Sequence, residues 1–171
     1  MRTIKLLLGD ITKIKVDAIV NAAHEGLSGG GGVDGAIHFA AGQKLLGECL
    51  NIGGCKTGQA VVTQGYKLPC KYVIHAVGPV YRQAHPDESA TLLANCHRRS
   101  LELANEKYCK TVAFPAISCG AYAYPVKQAA DIAIGTAAEF LRKKSSLETV
   151  YFVLYDKETY KVFVDELQKV K

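Results

Sequence analysis

VDAIVNAAHEGLSGGGGVDGAIHFAAG, residues 16–42, is the stretch that indicates how this chain folds. It begins with an apolar run at 16–20 that is typical of a buried strand. Polar side chains are expected just past the end of that strand, and four glycines follow at 29–32. The stretch closes with a predicted helix over 33–41, which Gly42 ends. A strand, a glycine loop and a helix in this order predict an anion-binding site in an α/β fold.

The glycine loop favours a diphosphate with a sugar beside it. Glycine lets the backbone approach a ligand closely, and the free N–H groups at a helix start favour negative charge. Asp34 lies in the first helical turn and would repel a phosphate in direct contact, so we expect it beside a neutral group such as a ribose. Asn21 and His24 supply hydrogen-bond donors nearby.

Two other interpretations of the loop remain open. It can be a flexible connection without a ligand. Gly30, Gly32 and Gly35 also match the G-x-G-x-x-G dinucleotide pattern. That pattern begins at the strand end, however, whereas residues 22–28 intervene here, and no acid closes a second strand about twenty residues later. We therefore favour a diphosphate site of another kind.

Composition limits the classes of protein and partner. The chain has 171 residues, 49% hydrophobic and 22% charged, which fits one ordered globular domain. Its net charge of +5 attracts anions, but the basic residues are scattered, so nucleic acid is not an expected partner. No apolar run is long enough for a membrane span, and no signal peptide is recognised. We expect a monomer.

The cysteines and histidines predict neither a disulfide framework nor a structural metal. The six cysteines form no C-x-x-C pair, and no histidine pair has zinc-ligand spacing. Free thiols indicate the cytoplasm or another reducing compartment. His75 alternates with apolar residues in a predicted strand, so it is interpreted as a core or interface residue.

Further elements alternate along the chain. Strands are predicted over 4–8, 60–65, 72–77, 111–114 and 149–155. Helices are predicted over 88–106, 126–141 and 158–170, and the helix of 33–41 is expected to resume at 43–50. Asp10 follows the first strand in a turn. It is either a turn or cap residue or an acceptor for the amino group of a base.

A second loop, PAISCGAYAYP at 115–125, again joins a strand to a helix. Its small residues let several backbone N–H groups converge on one anion, and its tyrosines can cover the ligand. The alternatives are an ordinary tight turn, or Cys119 as a nucleophile, which lacks an obvious His–Asp partner. Asn21, Ser118 and Tyr155 each come after a predicted strand, so they are expected to share one cleft, with Tyr155 stacking on a base.

Taken together, these motifs resemble the macrodomain family, specifically its bacterial and mitochondrial MacroD-like branch. The resemblance covers essentially the whole chain. It rests on GDIT at 9–12, VDAIVNAA at 16–23, GGGGVDGAIHFAAG at 29–42, VIHAVGPV at 73–80 and the FPAIS segment that ends at Pro125. It implies one macrodomain over 1–171, a three-layer α/β/α sandwich with a central mixed β-sheet, and ADP-ribose in its cleft.

The resemblance also implies roles for particular residues. Asp10 would accept the adenine amino group with Ile11 beside it, and Tyr155 would lie on the adenine side. The first diphosphate loop would be Gly30, Gly31, Gly32 and Val33, and the second Ser118, Cys119, Gly120, Ala121 and Tyr122. The catalytic group at the distal ribose would be Asn21, His24 and Asp34.

The implied activity is metal-independent and cofactor-free hydrolysis of ADP-ribose esters. Its substrates would be proteins mono-ADP-ribosylated on Asp or Glu, and O-acetyl-ADP-ribose. Asp34 would orient a water or a ribose hydroxyl as general base. One departure is His24, where the family usually has asparagine. Its ring can donate to the ribose, displace the water or act as a different acid or base.

Two further hypotheses follow. Because of His24, the chain can instead be an ADP-ribose reader with weak or no turnover. RNA binding or ribonuclease regulation is the third hypothesis, and nothing in the composition singles it out. A smaller departure, Cys119-Gly120-Ala121 in place of Thr-Gly-Val, keeps the second loop small.

Overall fold

Six strands form one mixed sheet in the computed structural model, which describes residues 2–171. The strands are β1 (Thr3–Leu8), β2 (Ala18–Ala23), β3 (Ala60–Gln64), β4 (Tyr72–Val77), β5 (Thr111–Phe114) and β6 (Thr149–Leu154). Their order across the sheet is β1-β6-β5-β2-β4-β3. Neighbouring strands are parallel except for the antiparallel pair of β3 and β4. The carboxyl ends of the five parallel strands therefore meet at one edge.

Helices cover both faces of this sheet. They are α1 (Gly32–Ala41), α2 (Gln43–Ile52), α3 (Pro86–Glu106), α4 (Val126–Leu141) and α5 (Lys157–Gln168), with one 3-10 turn at Ile11–Lys13. The first two pack on one face, and the last three pack on the other. The predicted three-layer α/β/α sandwich with a mixed sheet is confirmed. None of the helices in the described part of the chain is both long and apolar enough to cross a membrane.

The side chains of β2 alternate between two hydrophobic cores. Ala18 and Val20 point to the core under α3, α4 and α5, whereas Ile19 and Ala23 belong to the core under α1 and α2. This period of two puts Asn21 on the α1–α2 face. The prediction that Asn21 lies past the strand end is wrong, because β2 continues to Ala23. A buried strand can carry this amide because it finds hydrogen-bond partners there.

Gly42 ends α1 as predicted and separates it from α2. Its φ is 90°, a conformation that glycine adopts without the penalty paid by other residues. Its N–H bonds the His38 carbonyl and ends α1, and its own carbonyl accepts from Leu45 N–H at the start of α2. The break changes the direction of the chain and lets the two short helices cover one sheet face.

Buried histidines make the fold sensitive to acid. His97 lies in α3, 2% exposed, with Nδ1 2.8 Å from the Leu93 carbonyl oxygen and its ring stacked on Phe114. Burial lowers its pKa from 6.5 to about 4. Between these values the unfolded chain binds a proton that the folded chain does not, so stability falls as the pH falls through this window.

We therefore expect the thermal midpoint of unfolding to drop as the pH is lowered from 7.5 to 4.5. His97→Leu cannot bind a proton at this position. Its thermal midpoint should therefore fall less than that of wild type over the same pH range. The control is His85→Leu, since His85 is exposed at the start of α3. An equal drop in all three proteins would contradict a role for His97 in the acid sensitivity.

Candidate functional site

Asp34 is a buried carboxylate at the start of α1. Asp34 is 6% exposed, and its Oδ1 accepts a 2.8 Å hydrogen bond from Asn21 Nδ2. The same oxygen lies 3.4 Å from Nε2 of His38, one helical turn later. The β2 strand and the first two turns of α1 thus hold one carboxylate between an amide and an imidazole.

A second histidine, His75, holds the Asn21 amide through a hydrogen bond. Asn21 Nδ2 lies 3.1 Å from His75 Nδ1, and His75 Nε2 lies 2.9 Å from Thr63 Oγ1. Since the amide hydrogens go to Asp34 and to His75 Nδ1, the His75 proton is assigned to Nε2, which donates to Thr63. Burial lowers the pKa of His75 to about 3, so the ring is neutral at physiological pH. Asn21 Oδ1 is left as a buried acceptor without a partner in residues 2–171.

His38 and His75 are the two site neighbours that sequence reasoning missed. His38 is four residues after Asp34, so both lie on one helix face, and this spacing was a usable signal. His75 is indeed buried, as expected of a core residue, but it pairs in register with Asn21 across β2 and β4. Strand register is a tertiary property, so no local pattern could have matched these two residues.

The glycine loop presents an open helix terminus. Gly31 is the N-cap of α1 and offers no side-chain cap. The first backbone bond of the helix runs from Gly35 N to Gly31 O at 3.1 Å. The preceding N–H groups of Gly32, Val33 and Asp34 have no acceptor one turn earlier, so they are available to an anion. Gly30, Gly31 and Gly32 are all exposed.

His24 bonds the backbone of the glycine loop. Its Nδ1 accepts from the Gly26 N–H at 3.1 Å, and its Nε2 lies 2.7 Å from the Gly29 carbonyl oxygen. Ser28 Oγ lies 3.3 Å from the same Nε2. Both ring nitrogens are therefore occupied within residues 24–29.

The second loop, 115–125, packs tightly against the end of β4. Ser118 is buried with a φ of 66°, and its carbonyl accepts from Tyr124 N–H at 2.9 Å. A methyl group on Gly78 would overlap the Ser118 hydroxyl, so only glycine fits there. Gly120 and Ala121 are exposed at the tip of the loop. The two predicted loops are thus built as open backbone turns.

Cys119 has the properties of an inert thiol. Burial raises its pKa to about 11, with a smaller effect from Asp156. Its Sγ donates to the Ile117 carbonyl at 3.5 Å. A protonated, hydrogen-bonded thiol is a poor nucleophile, which argues against the nucleophile alternative.

Asp10 and Tyr155 follow the neighbouring strands β1 and β6, at the far end of the sheet order from β3. The Gly9 N–H bonds the Leu154 carbonyl at 2.9 Å and ties the ends of β1 and β6 together. Asp10 Oδ1 accepts from Thr12 Oγ1 at 2.7 Å and from Thr12 N–H at 2.9 Å, and these bonds hold the pKa of Asp10 below its usual value. Ile11 is buried beside it, whereas Tyr155 is 86% exposed.

Sheet order explains which predicted residues come together. Because β1, β6, β5 and β2 are consecutive and parallel, Asp10, Tyr155, the 115–125 loop and the glycine loop all follow carboxyl ends at one edge. Asn21 and Asp34 are in direct contact. The polar contacts of His24 go to its own loop instead.

One trio of potential metal ligands lies behind this site. In residues 2–171, donor atoms of His38, Cys49 and His75 lie within 4.8 Å of one another. His75 Nε2 already bonds Thr63, and burial raises the pKa of the Cys49 thiol to about 11. Burial keeps the Cys49 thiol and the His75 ring uncharged, and His75 holds the Asn21 amide. The trio enters no step of the reaction proposed below.

Comparisons with known proteins identify the family of the chain. The sequence model of the Macro domain family matches residues 20–133. A macro domain-containing protein of Methanosarcina mazei is 54% identical over 98% of this chain and 89% of its own length. The O-acetyl-ADP-ribose deacetylase of Citrobacter rodentium is 49% identical over 94% and 92%. The ADP-ribose glycohydrolase MACROD2 of Xenopus laevis is 49% identical over 94% of this chain and 39% of its own length.

A solved structure matches the whole architecture. The Oceanobacillus iheyensis macrodomain with ADP superposes with a TM-score of 0.93 at 42% identity, over 99% of this chain and 92% of that one. The fold and the family assignment therefore agree.

Proposed function

The chain belongs to the macro domain family, and from that premise we propose that it binds ADP-ribose and hydrolyses ADP-ribose esters. The observation that carries the proposal is the Asp34 carboxylate, 6% exposed and bonded to Asn21, directly beside the uncapped start of α1. Substrates of this class are proteins mono-ADP-ribosylated on Asp or Glu, and O-acetyl-ADP-ribose. Relatives named for glycohydrolase and deacetylase activity support it.

The diphosphate is assigned to the two backbone loops. The first loop includes the free N–H groups at the start of α1, and the helix dipole adds positive potential there. Residues 118–122 form the second loop, and its exposed tip is free to approach the other phosphate. This binding energy is remote from the reacting bond, so it serves to orient the distal ribose at Asp34.

The chemical step needs one base and one water. Asp34 takes a proton as the water attacks either the ester carbonyl carbon or the anomeric carbon, and a carbon–oxygen bond of the ester then breaks. The departing oxygen receives a proton, and the products are free ADP-ribose and the carboxylic acid. Asn21 and neutral His75 keep the carboxylate in one orientation throughout. No metal or cofactor is assigned to the step.

The test is release of free ADP-ribose from a protein mono-ADP-ribosylated on glutamate. Release by wild type and none by Asp34→Ala supports the enzyme. Binding of ADP-ribose without release would favour the alternative, a reader module in which His24 is incompatible with turnover. Absence of both binding and release would contradict the proposal.

Recognition of adenine by Asp10 gives a separate prediction. The ionised carboxylate is an acceptor, so it favours the adenine amino group over the carbonyl oxygen of hypoxanthine. We expect wild type to bind ADP-ribose at least about tenfold more tightly than its inosine analogue, as one charge-assisted hydrogen bond implies. Asp10→Asn, which can also donate, should narrow this preference. Calorimetric affinities of both ligands test it, and equal affinities in wild type would contradict the role.

A further inference from the structure

The hydrogen bonds of His24 define its protonation state. The Gly26 N–H can only donate, so Nδ1 must be the acceptor and carries no proton. The Gly29 carbonyl can only accept, so Nε2 must carry the proton. The ring therefore links two backbone groups three residues apart as a neutral Nε2–H imidazole. Neither nitrogen remains for a ligand.

The linked segment is otherwise costly to hold in place. Leu27, between the two bonded residues, has a φ of 55° and is 2% exposed, so a non-glycine residue sits in the left-handed region. Gly29 has a φ of 82°. Glycine-rich backbone loses much conformational entropy when it is ordered, and the imidazole supplies two bonds that offset this cost.

The loop transmits this constraint to Asp34. A Cβ on Gly30 would lie 3.2 Å from Asp34 Oδ2 and 4.0 Å from the His24 Cδ2, so Gly30 lies between the ring and the carboxylate. A Cβ on Gly35 would lie 2.5 Å from the Gly30 carbonyl oxygen, so the loop also packs directly on α1. Molecules with a displaced Gly29–Gly30 backbone would lack the helix-start N–H groups in the arrangement that binds a diphosphate, so they would not bind the ligand.

We infer that His24 is a positioning residue that preorganises the diphosphate loop through Gly26 and Gly29, and that it is not the acid or base of the reaction. The inference rests on the proposed function and reassigns one residue of its site. When the loop is ordered in only a fraction of molecules, apparent affinity falls by that fraction. The loss of His24 therefore raises Kd and KM, while kcat, which depends on Asp34, changes little.

Two conservative variants separate the two ring nitrogens. His24→Gln places an amide N–H near the position of Nε2 and retains the bond to Gly29. His24→Asn, the residue usual in the family, reaches only the position of Nδ1 and retains the bond to Gly26. His24→Phe removes both. His85→Gln is the matched control, because His85 is an exposed histidine at the start of α3.

The expected order of ADP-ribose Kd and of KM is wild type, then the Gln and Asn variants, then Phe. The Phe variant should be weakened by about tenfold, the scale of two net hydrogen bonds, with kcat within about threefold of wild type. If the Phe variant does not fold, the Gln and Asn variants test the positioning role, since each should show part of the loss of affinity. Nitrogen-15 NMR of wild-type His24 should report the Nε2–H form.

Other outcomes overturn the inference. A kcat that falls by about a hundredfold in the Gln variant with unchanged KM would make His24 an acid or base. Affinities of all variants within twofold of wild type would remove the positioning role, as would an Nδ1–H ring. A wild-type protein without turnover refutes the hydrolase proposal. The positioning role of His24 is then still tested by the order of Kd values, because Kd is measured with ADP-ribose itself.

Discussion

Asp34→Ala should abolish release of ADP-ribose from a glutamate-linked protein substrate, while affinity for free ADP-ribose stays within about tenfold of wild type. General-base catalysis contributes about 10²–10⁴-fold, so a loss of that size is expected in kcat. The affinity should be retained because the proposed diphosphate contacts come from backbone N–H groups of α1 and of the second loop. Single-turnover release and calorimetry measure the two quantities separately.

Asp34→Asn is the control for structural effects. It keeps an acceptor oxygen for Asn21 Nδ2 and fills the same volume, but it cannot take a proton. It should be as inactive as Asp34→Ala and should unfold at nearly the wild-type temperature. Wild-type turnover in either variant would refute the assignment of the base. Loss of turnover that merely follows loss of folding would show that Asp34 acts through stability.

Gly35→Ala should weaken ADP-ribose binding more than any of the His24 variants that disturb the glycine loop. Its Cβ would lie 2.5 Å from the Gly30 carbonyl oxygen, a contact that forces the loop away from α1. Overpacking of this kind costs about 1–3 kcal/mol, which equals roughly 5- to 150-fold when it falls on the bound state. Calorimetric titration with ADP-ribose measures the part of this cost that falls on binding, and thermal unfolding of the free protein measures the part that falls on stability.

Gly47→Ala is the matched control for Gly35→Ala. Gly47 is exposed inside α2, and a Cβ there would meet no atom within 4 Å. Alanine in a helix interior is better than glycine by about 0.8–1 kcal/mol, so this variant should be slightly more stable, with unchanged affinity. Gly35→Ala with wild-type affinity would mean that the loop and α1 are not held in contact in solution.

Local pattern accounts for much of the fold. The bounds of β4, β5 and α4 agree with their predicted ranges, because apolar periodicity and flanking Gly and Pro residues are local signals. The end of α1 at Gly42 was also predicted, because a glycine after the last apolar-periodic residue is a local stop signal. The end of β2 was missed, since a polar residue was taken to end a strand that continues through it.

The sequence alone determined the succession of strands and helices, the two glycine-rich or small-residue loops, and Asp34 in the first turn of α1, since these depend on neighbours along the chain. The sandwich was implied by the resemblance to the macrodomain family. Only the tertiary structure decided that Asn21 faces Asp34 with His75 behind it, and that the His24 ring bonds Gly26 and Gly29. The physical reason is that strand register and side-chain direction follow from packing between distant segments. A histidine looks the same in sequence whether its nitrogens face a ligand or its own backbone.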